Sequence, residues 1–144
     1  PSFEGGDHTA ITIMHSHFDG VAVVGFMWKK SWNFCVDDIV ELCKKYKVGR
    51  LAFETNCLGP MPIDLLRSAL PVNIGVVGKK TIVNKQQKIL NAATYGHLIY
   101  ICKESHKAYI DNIAYWDFNA KVDDGVDSLA SCLLWLGLIR GDKK

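Results

Sequence analysis

The fold of this chain is decided by the stretch TAITIMHSHFDGVAVVGFMW at residues 9–28. Two β-rich runs, residues 9–16 and 20–28, are separated by the short polar link His17-Phe18-Asp19. Runs of β-branched and apolar residues joined by so short a link are typical of two strands that turn back on each other. We therefore expect an antiparallel β-hairpin near the start of the chain.

The spacing of the apolar residues changes after the hairpin. Over residues 36–47 they recur at helical spacing, which predicts a helix that Gly49 closes. Residues 50–54, RLAFE, form the short apolar run of a buried strand. Beyond it we predict helices over 63–70, 84–94, 106–114 and 123–139, and strands over 73–77 and 97–102. This alternation predicts an α/β domain with a central mixed β-sheet flanked by helices.

Length and composition indicate a single globular domain. The 144 residues are 49% hydrophobic, which is enough for a core of their own. The apolar runs fall short of the roughly 20 residues that a membrane-spanning helix needs, so we expect no membrane partner. The formal net charge of +2 does not indicate nucleic-acid binding by itself. The 5 cysteines lack CxxC spacing and are expected to be reduced core residues.

Acidic residues stand out at two places. Glu54 ends the strand predicted over 50–54, where a carboxylate either faces a cleft at the end of the sheet or is paired. Asp124 and Asp127 lie on one face of the first turn of the last predicted helix, with Asp123 as the expected N-cap. Capping needs one aspartate, and neighbouring carboxylates repel each other unless a cation compensates. Helix capping and metal binding both remain open on these residues alone.

A metal site of this kind has a defined chemistry. Carboxylates that converge from a strand end and a helix start would bind two Mg²⁺ or Mn²⁺ ions about 4 Å apart. One ion would activate water and the other would stabilise the leaving oxygen of a phosphodiester. The sequence contains no GxSxG, HExxH or P-loop motif, which leaves serine-hydrolase, zinc-protease and triphosphatase interpretations without support.

Four segments resemble, in order, the nuclease domain of the terminase large subunit of tailed bacteriophages. PSFEGGDHTA at residues 1–10 resembles the segment after that family's first catalytic aspartate, and LAFETNCLG at 51–59 resembles its strand ending in glutamate. VNKQQKIL at 83–90 is similar to its lysine-bearing helix start, and residues 96–127 are similar to its closing stretch with the DDxxDxxA motif. The resemblance covers nearly the whole chain and implies an RNase H-like fold.

The resemblance also implies roles for individual residues. Glu54 would be the second catalytic carboxylate, Asp124 and Asp127 would supply the third acidic cluster, and Asp7 matches an aspartate that some members hold near the metals. The family's first aspartate precedes the proline that corresponds to Pro1, so we expect that residue and its central strand to be missing from this chain. The implied activity is metal-dependent cleavage of concatemeric double-stranded phage DNA during genome packaging, with Mg²⁺ or Mn²⁺ as cofactor.

Partners and alternatives follow from the same comparison. The resemblance implies an ATPase domain on the N-terminal side of the same chain, the portal and the small terminase subunit as partners, and a virus-encoded protein in the host cytoplasm. One alternative is a RuvC-type junction resolvase, which shares the strand-Glu and DxxD pattern. Another is a nuclease-like domain that binds DNA or docks on the portal without cleaving. Asn56, Gly59 and the Lys85 segment favour the terminase.

Lysines form two clusters that bear on DNA binding. The first lies before and within the helix predicted over 84–94, and its members are Lys79, Lys80, Lys85 and Lys88. We expect it to hold phosphates that the acidic site would otherwise repel. The second comprises Lys44, Lys45, Lys47 and Arg50. Its place at a helix C-terminus favours an interaction with the helix dipole instead.

Overall fold

The computed structural model of the protein describes residues 9–17, 19–30, 34–54, 61–80 and 83–140, without the side chains of residues 61–63. Asp7, Asn56, Cys57 and Gly59 therefore lie outside the described residues. Two compact units are present: unit 1 combines residues 1–32 with 83–144, and unit 2 comprises residues 33–82. In chain order the elements are β1 (Thr9–His17), β2 (Gly20–Trp28), α1 (Val36–Lys45), β3 (Arg50–Glu54), α2 (Met61–Ala69), β4 (Gly75–Lys79), α3 (Lys85–Ala93), β5 (Ile99–Ile101), α4 (Lys107–Tyr115) and α5 (Asp124–Trp135).

Unit 1 is built on a small mixed sheet with the strand order β1-β2-β5. β1 and β2 form the predicted antiparallel hairpin, and β5 pairs with β2 in parallel. Gly20 begins β2 with φ 147°, and a Cβ added there would lie 2.2 Å from the carbonyl oxygen of Leu98. Only glycine satisfies both the backbone conformation and this close approach, so Gly20 allows the segment before β5 to pack against the hairpin.

Helices α3, α4 and α5 bury their apolar faces in the core of unit 1. The buried members of that core are Val21, Val23, Met27, Ile89, Ala92, Tyr109, Val126, Leu129, Ala130 and Leu133. The ring of Tyr109 on α4 is fully buried and lies against Gly25 of β2, where an added Cβ would be 2.0 Å from Cε1. The absence of a side chain at Gly25 therefore lets α4 pack directly on the sheet.

The last helix is shorter than its apolar pattern predicts. We expected it to continue to residue 139, but α5 ends at Trp135 and Gly137 takes the left-handed φ of 75°. The amide of Gly137 donates to the carbonyl of Leu134, and the amide of Leu138 donates to that of Leu133. This pair of bonds is the Schellman arrangement that ends helices. The apolar residues beyond it pack on the core without being helical.

Unit 2 contains a parallel pair of strands and two helices. β3 and β4 pair in parallel, with Arg50 opposite Gly75 and Glu54 opposite Lys79. β4 begins two residues later than the predicted strand over 73–77, because the amide of Ile74 donates to the carbonyl of Pro71 in a turn. α1 ends at Lys45 instead of residue 47, and Lys47, not Gly49, takes the left-handed φ of 53° that closes it.

The described elements form a mixed α/β protein in which helices flank a small mixed sheet. The predicted fold class is confirmed at this level, and every predicted helix and strand has a counterpart. No helix in the residues that the structure describes combines the length and apolar content needed to cross a bilayer.

Candidate functional site

The acidic start of α5 is held by a side chain from α4. Asn112 Oδ1 accepts a hydrogen bond from the amide of Val126 at 2.9 Å, and its Nδ2 donates to the carbonyl of Val122 at 2.7 Å. Gly125 permits this approach, because a Cβ there would lie 2.9 Å from Asn112 Oδ1. Asn112 therefore satisfies one of the amides that a helix N-terminus leaves without an intrahelical partner.

This contact changes the interpretation of the aspartates. Asp123 occupies the N-cap position, but its side chain makes no capping hydrogen bond with the described residues. The expectation that Asp123 caps the helix is wrong, because Asn112 supplies the acceptor instead. Asp124 and Asp127 lie in the first turn, where the helix dipole favours negative charge.

Lys88 is an internal residue whose ammonium group contacts α5. Its side chain is only 2% exposed, and Nζ lies 2.7 Å from Asp127 Oδ1 and donates to Ser131 Oγ at 2.7 Å. The approach to Asp127 is not aligned for a hydrogen bond, so charge attraction holds these two atoms. We expected Lys88 at the surface among the phosphate contacts. Its burial against α5 removes the ammonium from solvent and corrects that expectation.

Lys85, one turn earlier on α3, faces the same acidic residues from a more exposed position. Its Nζ lies 3.6 Å from Asp123 Oδ2, and the two side chains are 54% and 31% exposed. Burial alone would lower the pKa of Lys85, but nearby carboxylates outweigh this effect and raise the pKa. The carboxylates responsible are those of Asp127, Asp123 and Asp124. Lys85 therefore stays charged beside the start of α5.

A set of hydroxyl groups fixes α5 on the sheet next to Asp127. Thr12 Oγ1 on β1 lies 2.6 Å from the Tyr109 hydroxyl and 2.9 Å from Ser128 Oγ. Burial raises the pKa of Tyr109, so its phenol remains protonated and available for hydrogen bonding. These contacts join β1, α4 and α5, which gives the acidic turn a rigid support.

The other predicted site residues lie elsewhere. Glu54 ends β3 in unit 2, half-buried and in register with Lys79 at the end of β4; Lys80 follows it and is exposed. The carboxylate at a strand end was correctly located by sequence. Glu54 thus belongs to one unit, and Asp124 and Asp127 belong to the other. The structure joins Asp127 to Lys88 and Asp123 to Lys85.

The residues at the start of α5 fit a hard divalent cation in the type of donor they offer. Carboxylate oxygens are the ligands that Mg²⁺ and Mn²⁺ take in proteins. Asn112, and not Asp123, accepts the hydrogen bond from the helix amide of Val126. Within the described ranges, no three His, Cys, Asp or Glu side chains are grouped so that they could hold a metal ion.

Two functional contacts had no strong signal in the sequence. Asn112 lies 14 residues before the amide that it accepts from, so no local spacing pointed to it. Lys88 precedes the buried Ala92 by one helical turn and adjoins the buried Ile89, which placed it on the inner face of α3. This helical spacing was the sequence feature that indicated burial of Lys88.

Comparison with known proteins gave no relative. No model of a known protein family matches the chain, and no curated protein matches it.

Proposed function

We propose that this chain is the nuclease part of a phage terminase large subunit, a metal-dependent endonuclease with an RNase H-like fold that cuts double-stranded DNA. The observation that carries the proposal is the start of α5, where Asn112 takes over capping from Asp123 beside Asp124 and Asp127. The order of the four resembling segments and the mixed α/β architecture support the same assignment.

The proposed nuclease assigns metal binding to the acidic residues and phosphate binding to a lysine. Glu54, Asp124 and Asp127 would hold Mg²⁺ or Mn²⁺, with Asp7 as a further ligand. When bound, the ions would supply an activated water molecule and stabilise the leaving oxygen of the phosphodiester. Lys85 remains charged and half-exposed, so it is suited to hold a DNA phosphate near the carboxylates.

Further phosphate contacts are proposed for unit 2. Lys79 is the last residue of β4, opposite Glu54, and Lys80 follows it, so both lysines lie at the same end of that strand pair as Glu54. Such contacts would fix the DNA backbone without reading its sequence. The proposal includes an ATPase domain N-terminal in the same chain, the portal and small terminase subunit as partners, and action in the host cytoplasm.

Plasmid cleavage tests the proposal. Supercoiled plasmid is incubated with Mn²⁺ or with EDTA, using this chain and a version extended by an N-terminal strand that ends in aspartate. Glu54→Ala and Asp124→Asn are made in the extended version. Asp37→Asn is the matched control, because Asp37 is also an acid in the first turn of a helix, α1.

The expected result is metal-dependent cutting by the extended protein that Glu54→Ala and Asp124→Asn abolish and Asp37→Asn leaves intact. Cutting that resists both substitutions would reject the assigned carboxylates. A protein that binds DNA but neither cuts it nor binds metal would favour a non-catalytic domain. That outcome would be consistent with the lysines that pair with Asp123 and Asp127 at the start of α5. Preferential cutting of four-way junctions over plasmid would instead favour a junction resolvase.

A further inference from the structure

Unit 2 contains a basic cleft of about 400 Å³ at the start of its two strands. The polar part of its lining comprises Lys44, Lys47 and Asn73, and Val48 and Pro71 contribute an apolar part. Among the described residues that line the cleft, no carboxylate is present. Small-ligand sites in proteins have volumes of about 300–1,000 Å³, so the basic cleft is large enough for a small organic anion.

Backbone hydrogen bonds fix the walls of the basic cleft. The amide of Gly75 donates to the carbonyl of Gly49 at 3.0 Å, which joins the starts of β3 and β4. The amide of Val48 donates to the carbonyl of Cys43 at 2.9 Å, and a bond of 3.1 Å closes the turn at residues 71–74. A cleft with walls fixed in this way loses little conformational freedom when a ligand binds.

The two lysines of the basic cleft are not needed to complete helix α1. The carbonyls of its last turn, those of Leu42, Cys43 and Lys44, each accept a backbone amide. Neither the Lys44 nor the Lys47 ammonium forms an ion pair or hydrogen bond with the residues that the structure describes. Like charges that line one cleft repel each other, and an anion bound between them relieves that repulsion.

Lys47 takes its place on the cleft at a cost to the backbone. Its φ is 53°, and within the described ranges it is the one residue other than glycine in the left-handed region. Glycine adopts this conformation without the steric penalty that a side chain brings. Backbone strain of this kind is concentrated at functional sites. Lysine therefore supplies a charge to the cleft at a position where glycine would favour the fold.

We propose that the basic cleft binds a sugar phosphate, with the phosphate held by Lys44, Lys47 and Asn73 and the sugar packed against Val48 and Pro71. Ammonium groups and the amide NH₂ of asparagine donate hydrogen bonds, and phosphate oxygens accept them. The DNA backbone and a free nucleotide both present this chemistry. The proposal is independent of metal-dependent cleavage and goes beyond it.

The basic cleft is separate from the carboxylate at the other end of the strand pair. Gly49 lines the cleft and directly precedes β3, whereas Glu54 is the last residue of that strand. A strand of five residues spans about 13 Å at the usual rise of about 3.3 Å per residue. A phosphate in the cleft is therefore too far from Glu54 to share a ligand with it.

NMR titration of the isotope-labelled full chain tests the inference, with thymidine monophosphate as one ligand and a short DNA duplex as the other. The amides of Gly49 and Asn73 should shift, and thymidine, which lacks the phosphate, should leave them unchanged. Lys47→Gly should weaken binding about tenfold or more, the scale for loss of one charge-assisted hydrogen bond. Because this substitution also removes the left-handed strain, unfolding does not explain the loss.

Two further variants make the same change in net charge as Lys47→Gly. Asn73→Asp introduces a carboxylate of nearly equal size into the cleft and should abolish phosphate binding by repulsion. Lys45→Ala is the control, because Lys45 lies over the Tyr46 ring and does not line the cleft. Solvent screens its exposed charge, so its loss should change the affinity by less than about twofold.

The results distinguish a binding site from a general effect of charge. Weaker binding in Lys47→Gly and Asn73→Asp with unchanged binding in Lys45→Ala supports the inference. Shifts of the Gly49 and Asn73 amides by the duplex assign the site to the DNA backbone, and shifts by the nucleotide alone assign it to a free nucleotide. Equal weakening by all three substitutions, or amides that neither ligand shifts, overturns the inference. Plasmid cleavage is measured separately, so the proposed nuclease function is tested independently.

Discussion

Replacement of Gly25 by alanine should destabilise the protein by forcing α4 away from the sheet. The new Cβ would lie 2.0 Å from Tyr109 Cε1 and 2.2 Å from Cδ1 and Cζ, far inside normal contact distance. The ring cannot retreat easily, because Tyr109 is fully buried and its hydroxyl is 2.6 Å from Thr12 Oγ1. Overpacking of a core typically costs about 1–3 kcal/mol. Loss of the hydroxyl contact adds about 1 kcal/mol.

The expected total is therefore about 2–4 kcal/mol in the free energy of unfolding, to be measured by urea denaturation followed by circular dichroism. Gly96→Ala is the matched control in the same unit, because, apart from its chain neighbours, no residue that the structure describes comes within 4 Å of its added Cβ; its effect should stay within about 0.5 kcal/mol. Tyr109→Leu makes room for the methyl group. Gly25→Ala should consequently cost much less in the Tyr109→Leu background, and equal costs in both backgrounds would refute the steric explanation.

Four further substitutions test other features of the structure by denaturation. Asn112→Ala removes the acceptor of the Val126 amide and should lower the free energy of unfolding by about 1–2 kcal/mol; no loss of stability would show that this hydrogen bond is dispensable. Burial raises the pKa of Cys43 from 9.0 to about 11, so the unfolded thiol releases its proton first and stability should fall as pH rises from 9.0 to about 11. Cys43→Ala should reduce that slope, with the remainder due to Cys132, whose pKa burial also raises from 9.0 to about 11; an identical slope in the variant would contradict a contribution from Cys43. Gly137→Ala should destabilise by about 1 kcal/mol and Lys47→Gly should stabilise by a few tenths, since both positions are left-handed; effects of the same sign would contradict this reasoning.

The hairpin and most element boundaries could be predicted because their signals are local. The β-rich runs in residues 9–28, their short polar link and the helical spacing elsewhere depend on neighbours in the sequence. The pairing of strands into a three-stranded and a two-stranded sheet depends on distant residues and was not predicted. The end of α5 was misjudged for the opposite reason. Residues beyond Gly137 are apolar because they cover the core, and apolar composition alone did not distinguish that from a continuing helix.

The positions of the acidic residues could be predicted from the sequence, but their contacts could not. Glu54 was expected at a strand end and Asp124 and Asp127 at a helix start, and the structure places them there. Helical spacing placed Lys88 on the inner face of α3, but sequence did not identify the partner on α5 that makes burial of its ammonium tolerable. The pairing of Lys88 with Asp127 is a property of helix packing, which no single segment encodes.

The two hydrogen bonds from Asn112 to the start of α5 affect how this protein would respond to random substitution. Because α5 takes its cap from α4, a change at Asp123 should be nearly silent in a screen that reports folded protein alone. The same change would register in a screen for DNA cleavage if Asp123 influences the metal site or Lys85. If the proposed cleavage activity is correct, parallel abundance and activity screens should diverge at Asp123 and coincide at Asn112. Asp123 is thus a position where selection could alter the proposed chemistry with little effect on the yield of folded protein.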